Sequence, residues 1–223
     1  MSNKGRVLVV GLGQFGASVA VQLAELGMDV YAVDSDEARV EAVANSVSNA
    51  IVANGSDLDV LAELRVDTMS AVLNAIGDEF LLNSILCTAH LRQLGAPRLI
   101  ARAINDVHAR VLRAIGADEI IEPEREIGKM VARRLARTGL VNQFDLGDNA
   151  SVVEIEVPEA WVGKNLAGLD LRRRTAIQVA AVRRTGGQQW LPPDPEEAFT
   201  RGDRMLAVGE SETIESLIRG NLA

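Results

Sequence analysis

Short apolar runs alternate with amphipathic segments along the first 120 or so residues of the chain. The run RVLVVG at 6–11 is uninterrupted and ends in glycine, which is typical of a strand buried on both faces. Residues 14–26 then repeat apolar positions at helical spacing, and Gly27 suits a helix C-terminal cap. The pattern predicts strands at 6–11, 29–34, 50–53, 70–76, 98–102 and 118–121, and helices at 14–26, 36–46, 57–64, 79–94 and 105–115.

Strands that alternate with helices through short connections indicate βαβ units, and therefore a parallel sheet with helices on both faces. Strands in this rhythm predict an α/β domain of the Rossmann type, with a doubly wound parallel sheet. A further helix is predicted from Pro123 to about Arg137, and it ends near Gly139. We expect the first domain to cover residues 1–140.

The pattern changes after about residue 146. The segment SVVEIEVP at 151–158 alternates apolar and acidic residues, as a strand with one solvated face does. Residues 176–184 predict another strand, followed by a hairpin turn through Gly186 and Gly187. With a last strand at 204–209 and a helix at 210–218, the sequence predicts a small α+β domain over 146–223, with its boundary at 145–149.

Composition narrows the class of protein. The 223 residues are 48% apolar and 24% charged, which is ordinary for a soluble globular protein. The net charge of −8 argues against nucleic acid as a partner, because nucleic-acid-binding proteins usually present a basic face. One cysteine, Cys87, excludes a disulfide framework within the chain. The start has no signal-peptide pattern, and the charge-free apolar stretch 80–89 is too short to span a bilayer, so we expect a cytoplasmic protein.

The strongest candidate for chemistry is the glycine pattern Gly11-x-Gly13-x-x-Gly16, which follows a predicted strand and opens a predicted helix. In that context Gly11 permits a tight turn, Gly13 lets the backbone approach a pyrophosphate, and Gly16 lets the helix pack closely on the strand. Asp34 ends the second strand, where a carboxylate accepts hydrogen bonds from ribose hydroxyls and repels a 2′-phosphate. The alternatives are a glycine turn without a ligand, and Asp34 as a helix cap.

Other loops at the same edge of the sheet complete a candidate nucleotide site. The segment 54–57 follows the third strand and would lie near the base, although it also suits an Asx turn that caps a helix. Asp36 is equally suited to cap the second helix or to bind the ligand. Arg102 ends the fifth strand and either reaches a phosphate or the base of the ligand, or forms a surface ion pair. The candidate nucleotide-binding residues are Gly11, Gly13, Gln14, Phe15, Gly16, Asp34, Ser35, Asp36, Asn54, Gly55, Ser56, Ala75, Ile76, Gly77 and Arg102.

The chain offers little for catalysis. Its two histidines, His90 and His108, fall within predicted helices, and no Ser/His/Asp arrangement or Walker-A lysine motif is present. A dehydrogenase normally needs a proton-transfer group beside the nicotinamide. We therefore expect a protein that is not an enzyme, with an NAD-dependent oxidoreductase as the alternative.

The segments VLVVGLGQFGASVAVQLAELGMDVYAVDSD, ANGSD and IGADEIIEPEREIGKMVARRL together resemble the RCK (KTN) regulatory subunits of bacterial potassium transporters, KtrA-like members of the TrkA family. The resemblance covers nearly the whole chain. It implies an RCK N-lobe with a crossover helix up to about residue 140, and an RCK C-lobe over 146–223.

The resemblance also implies a function and partners. Proteins of this kind are cytosolic gating subunits that form homo-octameric rings, built as tetramers of dimers, beneath a membrane subunit of the KtrB type. They lie at the inner face of the cell membrane through that partner. They bind ATP or ADP, and often NAD(H), and ATP favours the active ring. A free-standing redox or nucleotide sensor is the remaining alternative.

The resemblance assigns further ligands. Glu124 matches an acidic position at which the family binds Mg²⁺ or Na⁺ beside the nucleotide, with a first-turn helix carboxylate as its alternative role. Gln14 stands where the family often has an arginine that contacts phosphate, so discrimination of ATP from ADP is either weaker here or carried by Arg102 or Arg125. Some relatives bind cyclic di-AMP in the C-lobe, which would correspond to residues 165–171 and 177–181.

Overall fold

A computed structural model describes residues 5–77, 80–136, 139–147 and 149–219 of the chain. Two compact units are present, residues 1–125 and residues 126–223. The division falls inside the helix that begins at Pro123, earlier in the chain than the boundary expected at 145–149. The assignment of two domains over 1–140 and 146–223 stays a prediction.

The first unit is built around a six-stranded sheet of order β3-β2-β1-β4-β5-β6, and every pairing in it is parallel. This confirms the Rossmann-type, doubly wound architecture. The strand order reverses between β1 and β4, which is the switch point where such sheets hold ligands. The strands are β1 Arg6–Val10, β2 Asp29–Asp34, β3 Asn49–Val52, β4 Ala71–Asn74, β5 Leu99–Arg102 and β6 Glu119–Ile121. The helices are α1 Gln14–Glu25, α2 Glu37–Ala44, α3 Leu58–Glu63, α4 Leu81–Gln93, α5 Asp106–Ile115 and α6 Pro123–Ala136, the last of which runs on into the second unit.

Strand β1 is buried on both faces, as its uninterrupted apolar run predicted. Its alternate residues serve two separate cores, because successive side chains of a strand point to opposite faces. Val7 and Val9 pack with Ala20 of α1 and Val40 of α2. On the other face the partners of Leu8 and Val10 come from helices α3, α4 and α5, and include Leu61, Leu91 and Leu112. Helices therefore cover both faces of the sheet.

The second unit contains a four-stranded antiparallel sheet of order β7-β8-β10-β9. The sequence pattern predicts no strand here: it gives residues 140–144 no element and places the domain boundary at 145–149, whereas the structure has β7 over Leu140–Gly147. Leu140 is buried, but residues 144–147 are exposed along the edge of the sheet, so the segment lacks the apolar alternation of a half-buried strand. The strands are β7 Leu140–Gly147, β8 Ala150–Glu156, β9 Gln178–Arg183 and β10 Arg204–Glu210, and the helices are α7 Leu166–Leu169, α8 Leu171–Thr175 and α9 Ser211–Ile218.

The long connection between β9 and β10 contains a closed turn and a buried carboxylate, that of Asp203. The turn through Gly186 and Gly187 is closed by a single antiparallel bridge between Val182 and Leu191, where the sequence predicted a hairpin. Burial by itself would raise the pKa of Asp203. Hydrogen bonds outweigh that effect and lower its pKa to about 2, and they come from Thr200, Arg184 and Thr185.

Among the described helices of both units, none is long and apolar enough to cross a lipid bilayer.

Candidate functional site

A cavity of about 670 Å³ lies at the carboxyl ends of the parallel strands of the first unit. This is the size range of small-molecule and cofactor sites. Of the candidate residues, Gly16 and Ser56 do not line it, whereas Val10, Val33, Arg39, Phe80 and Asn83 line it without having been predicted. The predicted residues that do line the cavity are Gly11, Gly13, Gln14, Phe15, Asp34, Ser35, Asp36, Asn54, Gly55, Ala75, Ile76, Gly77, Arg102 and Glu124.

The three glycines of the pattern Gly11-x-Gly13-x-x-Gly16 differ in what their surroundings require of them. Gly11 has a φ of +93°, and a Cβ there would lie 2.8 Å from the backbone nitrogen of Ile76. A Cβ on Gly16 would overlap the carbonyl oxygen of Gly11, which confirms the close helix–strand approach expected of this position. Gly13 is the N-cap of α1 and a Cβ there would meet nothing within 4 Å. Within the described residues, therefore, no neighbouring atom requires glycine at position 13.

The N-terminus of α1 lines this cavity through Gly13, Gln14 and Phe15. The Gly13 cap supplies no side-chain hydrogen bond, and the first turn of α1 holds no acidic residue. The backbone N–H groups of such a turn suit an anion, which the helix dipole also favours.

Asp34 is the last residue of β2, lines the same cavity and is only 8% exposed. Its carboxylate accepts one hydrogen bond on each oxygen, from the backbone N–H of Leu12 at 2.6 Å and from that of Asp36 at 2.9 Å. Asp36 caps helix α2 through Ala38, so the capping alternative applies to Asp36 and not to Asp34. Arg39 lies 3.8 Å from Asp34 and 3.5 Å from Asp36. Each Asp34 oxygen keeps a second lone pair for a ligand hydroxyl.

The β3–α3 loop is an Asx turn that also lines the cavity. The side-chain oxygen of Asn54 accepts hydrogen bonds from the backbone N–H of Ser56 at 3.0 Å and from its hydroxyl at 2.8 Å. Asn83 donates to the Ser56 hydroxyl at 3.0 Å, and His90 Nδ1 lies 2.9 Å from the Ser56 carbonyl oxygen. Ser56 therefore anchors the loop to α4, while Asn54 and Gly55 form the wall of the cavity.

A second polar network holds the loop after β4. Asn74 is fully buried and donates to the Ser84 carbonyl oxygen and the Thr88 hydroxyl, both at 2.8 Å. Its side-chain oxygen accepts the backbone N–H of Ile76 at 3.2 Å. Neither Asn74 nor Asn83 is among the residues predicted from the sequence. An asparagine that ends an otherwise apolar strand was the available signal, because a buried amide must be hydrogen-bonded.

Arg102 and Glu124 form an ion pair in the cavity wall, with Arg102 Nη2 2.6 Å from Glu124 Oε1. The side chain of Arg102 is 13% exposed and that of Glu124 is 64% exposed. The described residues contain no group of three or more side chains able to hold a metal ion. A cation at Glu124 would therefore draw most of its oxygen ligands from a bound phosphate and water.

Arg125 lies near this pair in sequence but has other partners. Its guanidinium is 2.6 Å from Asp106 and 3.2 Å from Glu122. The charge of Asp106, followed by that of Glu122, raises the pKa of Arg125. Arg125 does not line the cavity, whereas Gln14 and Arg102 do.

The cavity holds few groups suited to proton transfer or thiol chemistry. His90 is hydrogen-bonded to the β3–α3 loop. His108 is buried, and its Nδ1 accepts a hydrogen bond from the backbone N–H of Ile104. Cys87 is buried, and burial raises the pKa of its thiol. The part of the cavity wall that the structure describes contains no histidine, cysteine or lysine. The arrangement is suited to holding a polar ligand by hydrogen bonds and charge.

Comparison with known proteins gives the family. The model of the TrkA-N domain matches residues 7–123, and that of the TrkA-C domain matches residues 152–219. The chain belongs to the TrkA family. This TrkA-family chain is 34% identical over 206 residues to Ktr system potassium uptake protein C of Bacillus subtilis, with 92% of each chain covered. It is 35% identical over 211 residues to Ktr system potassium uptake protein A of Vibrio alginolyticus, with 95% of each covered.

Solved structures agree with the TrkA-family fold. The GsuK channel superposes with a TM-score of 0.69 at 19% identity and covers 97% of this chain. The GsuK RCK domain gives a TM-score of 0.66 at 19% identity over 98% of this chain. The chain spans 39% and 48% of the lengths of those two chains, respectively. The likeness confirms the RCK fold that the sequence resemblance implied.

Proposed function

We propose that this chain is the nucleotide-sensing regulatory subunit of a potassium uptake system, switched by ATP against ADP. The observation that carries the proposal is one cavity lined by two kinds of group. The N-terminus of α1 suits phosphate, and the Asp34 carboxylate suits ribose hydroxyls. The relatives at 34–35% identity are named as potassium uptake proteins, which supports the transport role.

The proposed ligand is an adenosine nucleotide with its base beside Asn54 and Gly55. Asp34 and Asp36 place two carboxylates at the ribose end against the one guanidinium of Arg39, and that balance disfavours a 2′-phosphate. ADP, ATP and NAD(H) share the adenosine diphosphate moiety that fits this orientation. We propose that the other candidate residues that line the cavity contact the nucleotide. Gly16 and Ser56 lie outside the lining and hold the loops that form it.

A switch needs a ligand that binds two conformations with different affinity. We propose that the terminal phosphate of ATP supplies this difference through Arg102, because Gln14 has no charge and Arg125 is engaged outside the cavity. Glu124, with a Mg²⁺ or Na⁺ ion shared with phosphate, is the proposed cation ligand. That ion would bridge carboxylate and phosphate oxygens, which are hard ligands of the kind it prefers.

We propose that copies of the chain assemble into an octameric ring against a membrane subunit of the KtrB type, on the cytoplasmic side. Exposed apolar side chains support an assembly. Helix α6 has no buried residue and carries Ile127, Val131 and Leu135 at successive helical turns, with Leu135 84% exposed. Phe80 and Leu82 by α4 are also at least half exposed. Unpartnered apolar stripes of this kind are typical of subunit contacts.

Cyclic di-AMP is a further proposed ligand, for the second unit. Leu169, Leu171 and Ile177 of the candidate stretch are buried in that unit's core, so a ligand would contact their exposed neighbours. Calorimetric titration of the whole chain tests this proposal, and heats indistinguishable from dilution at micromolar ligand would remove it.

Potassium flux measures the proposed role directly. The chain is reconstituted in vesicles with a KtrB-type membrane subunit, and uptake is compared with ATP, with ADP and without nucleotide. We expect faster uptake with ATP than with ADP. Equal uptake in all three conditions would contradict gating. For the oxidoreductase alternative, NADH and candidate carbonyl substrates should leave the absorbance at 340 nm unchanged.

A further inference from the structure

We infer that Glu124 is an internal competitor of the ligand's phosphate, because it occupies the guanidinium of Arg102 that a phosphate needs. The inference rests on the proposed nucleotide site and deepens it. Its consequence has an unusual sign: removing this carboxylate should tighten binding of phosphorylated ligands when no divalent cation is present.

The two partners are held very differently. Arg102 ends strand β5, is 13% exposed, and its guanidinium lies so close to Gly77 that a Cβ there would be 3.2 Å from Nη1. Glu124 lies in the first turn of α6 and is 64% exposed. The arginine is therefore fixed in the cavity wall, while the carboxylate can move into water at small cost. An incoming anion displaces Glu124 and leaves Arg102 in place.

The charges of the cavity make Arg102 important to a phosphate. The described lining contains two cationic side chains, Arg39 and Arg102. Arg39 lies beside Asp34 and Asp36 at the ribose end. Arg102 is thus the cation of the described lining that remains for a phosphate, and Glu124 pairs with it. A guanidinium binds carboxylate and phosphate oxygens with the same donors, so the two anions exclude each other.

The expected effect is modest because Glu124 is largely solvated. Exposed ion pairs contribute little, and the competition corresponds to about a two- to fivefold change in affinity. The effect should be seen with ADP and ATP, and it should be absent with adenosine, which carries no phosphate.

Isothermal titration calorimetry of the full chain in sodium-free buffer with potassium EDTA tests the inference, because neither proposed cation is then present. Adenosine, ADP and ATP are titrated into the wild type, into Glu124→Gln and into Glu122→Gln. Glu122 is the matched control, since it lies two residues away, loses the same charge, pairs with Arg125 and does not line the cavity. The double variant Arg102→Gln/Glu124→Gln, compared with Arg102→Gln alone, shows whether the effect passes through Arg102.

We expect Glu124→Gln to tighten ADP and ATP about two- to fivefold, to leave adenosine unchanged, and to have no effect when Arg102 is glutamine. Unchanged or weaker ADP binding in Glu124→Gln would overturn the inference, as would an equal gain in Glu122→Gln, which would indicate general electrostatics. Failure of the wild type to bind any of the three ligands would instead remove the proposed function and this inference with it.

Discussion

The backbone N–H of Leu12 donates a 2.6 Å hydrogen bond to the carboxylate of Asp34, which joins the glycine loop after β1 to the end of β2. The second carboxylate oxygen accepts the N–H of Asp36 at 2.9 Å. Asp34 thus fixes the geometry of two loops and still presents unused lone pairs to the cavity. The proposed phosphate and ribose ends of the site are therefore held in register by one side chain before a ligand binds.

Asp34→Asn should weaken adenosine, ADP and ATP alike, by about tenfold or more. An amide keeps one acceptor oxygen, so it loses both a loop contact and a charged acceptor for ribose, and hydrogen bonds to charged groups contribute about 1.5–3 kcal/mol. Calorimetry measures the affinities, with Asp57→Asn as a control because Asp57 caps α3 and does not line the cavity. Affinities for all three ligands within twofold of wild type would contradict this role.

Gly13 and Gly16 offer a matched pair of substitutions. Gly16→Ala should destabilise the fold by roughly 1–3 kcal/mol or more, because its Cβ would overlap the Gly11 carbonyl. Gly13→Ala should fold normally, because its Cβ meets nothing within 4 Å, yet it should lose most of its affinity for ADP if the pyrophosphate approaches that backbone. Thermal melting and ADP titration of both variants test this. A stable Gly13→Ala with wild-type ADP affinity would place the phosphates elsewhere.

Most of this fold could be predicted from the sequence, because the patterns that indicate its elements are local in the chain. The apolar run at 6–11 and the helical spacing after Gly11 each lie within a single element and predict that element without knowledge of its neighbours. The pattern of Gly11, Gly13 and Gly16 is likewise confined to one turn. The lining role of Asn83 could not be predicted, because it depends on the distance between α4 and the β3–α3 loop. Strand β7 was missed because an exposed edge strand has no apolar alternation, and the Arg102–Glu124 pair joins two elements separated in sequence.

We expect Asn83 to support binding of the base by holding Ser56, and with it the β3–α3 loop, in place. Asn83→Ala removes the hydrogen bond to the Ser56 hydroxyl and should weaken adenosine, ADP and ATP by the same factor, about two- to tenfold, since one hydrogen bond contributes about 0.5–1.5 kcal/mol. Asn83 carries no charge, so the loss should be independent of the number of phosphates. A loss that grows from adenosine to ATP would show that Asn83 contacts phosphate instead.

Cys87 should be inert, which distinguishes a nucleotide sensor from a thiol-based redox sensor. It is the one cysteine of the chain, it is buried, and burial raises the pKa of its thiol, so the reactive thiolate is disfavoured. A colorimetric thiol reagent should label the denatured protein at once and the native protein only as it unfolds. Rapid labelling of the native chain at neutral pH would contradict this expectation.

The second unit should lose stability in acid through Asp203. Its pKa is about 2 in the folded chain, against an ordinary value of 3.8, so its carboxylate stabilises the fold at neutral pH. That contribution, about 2 kcal/mol, should be complete above pH 4 and disappear as the pH falls from about 4 to about 2. Both tryptophans, Trp161 and Trp190, lie in residues 126–223, so tryptophan fluorescence during urea unfolding reports on this unit.

Asp203→Asn is the control for that acid transition. The variant should be less stable than wild type at pH 7 and should converge with it towards pH 2. A constant difference between the two proteins across this pH range would show that the carboxylate's ionisation contributes nothing.

Whether the chain forms a nucleotide-sensing ring is tested most directly by titrating the purified chain with ATP, ADP and NADH, with and without Mg²⁺, while light scattering records its mass. We expect a mass near eight chains, binding of both ATP and ADP, and a Mg²⁺ dependence that differs between them. A dimer that binds NADH well and ATP poorly would contradict it, and would favour an oxidoreductase or a redox sensor.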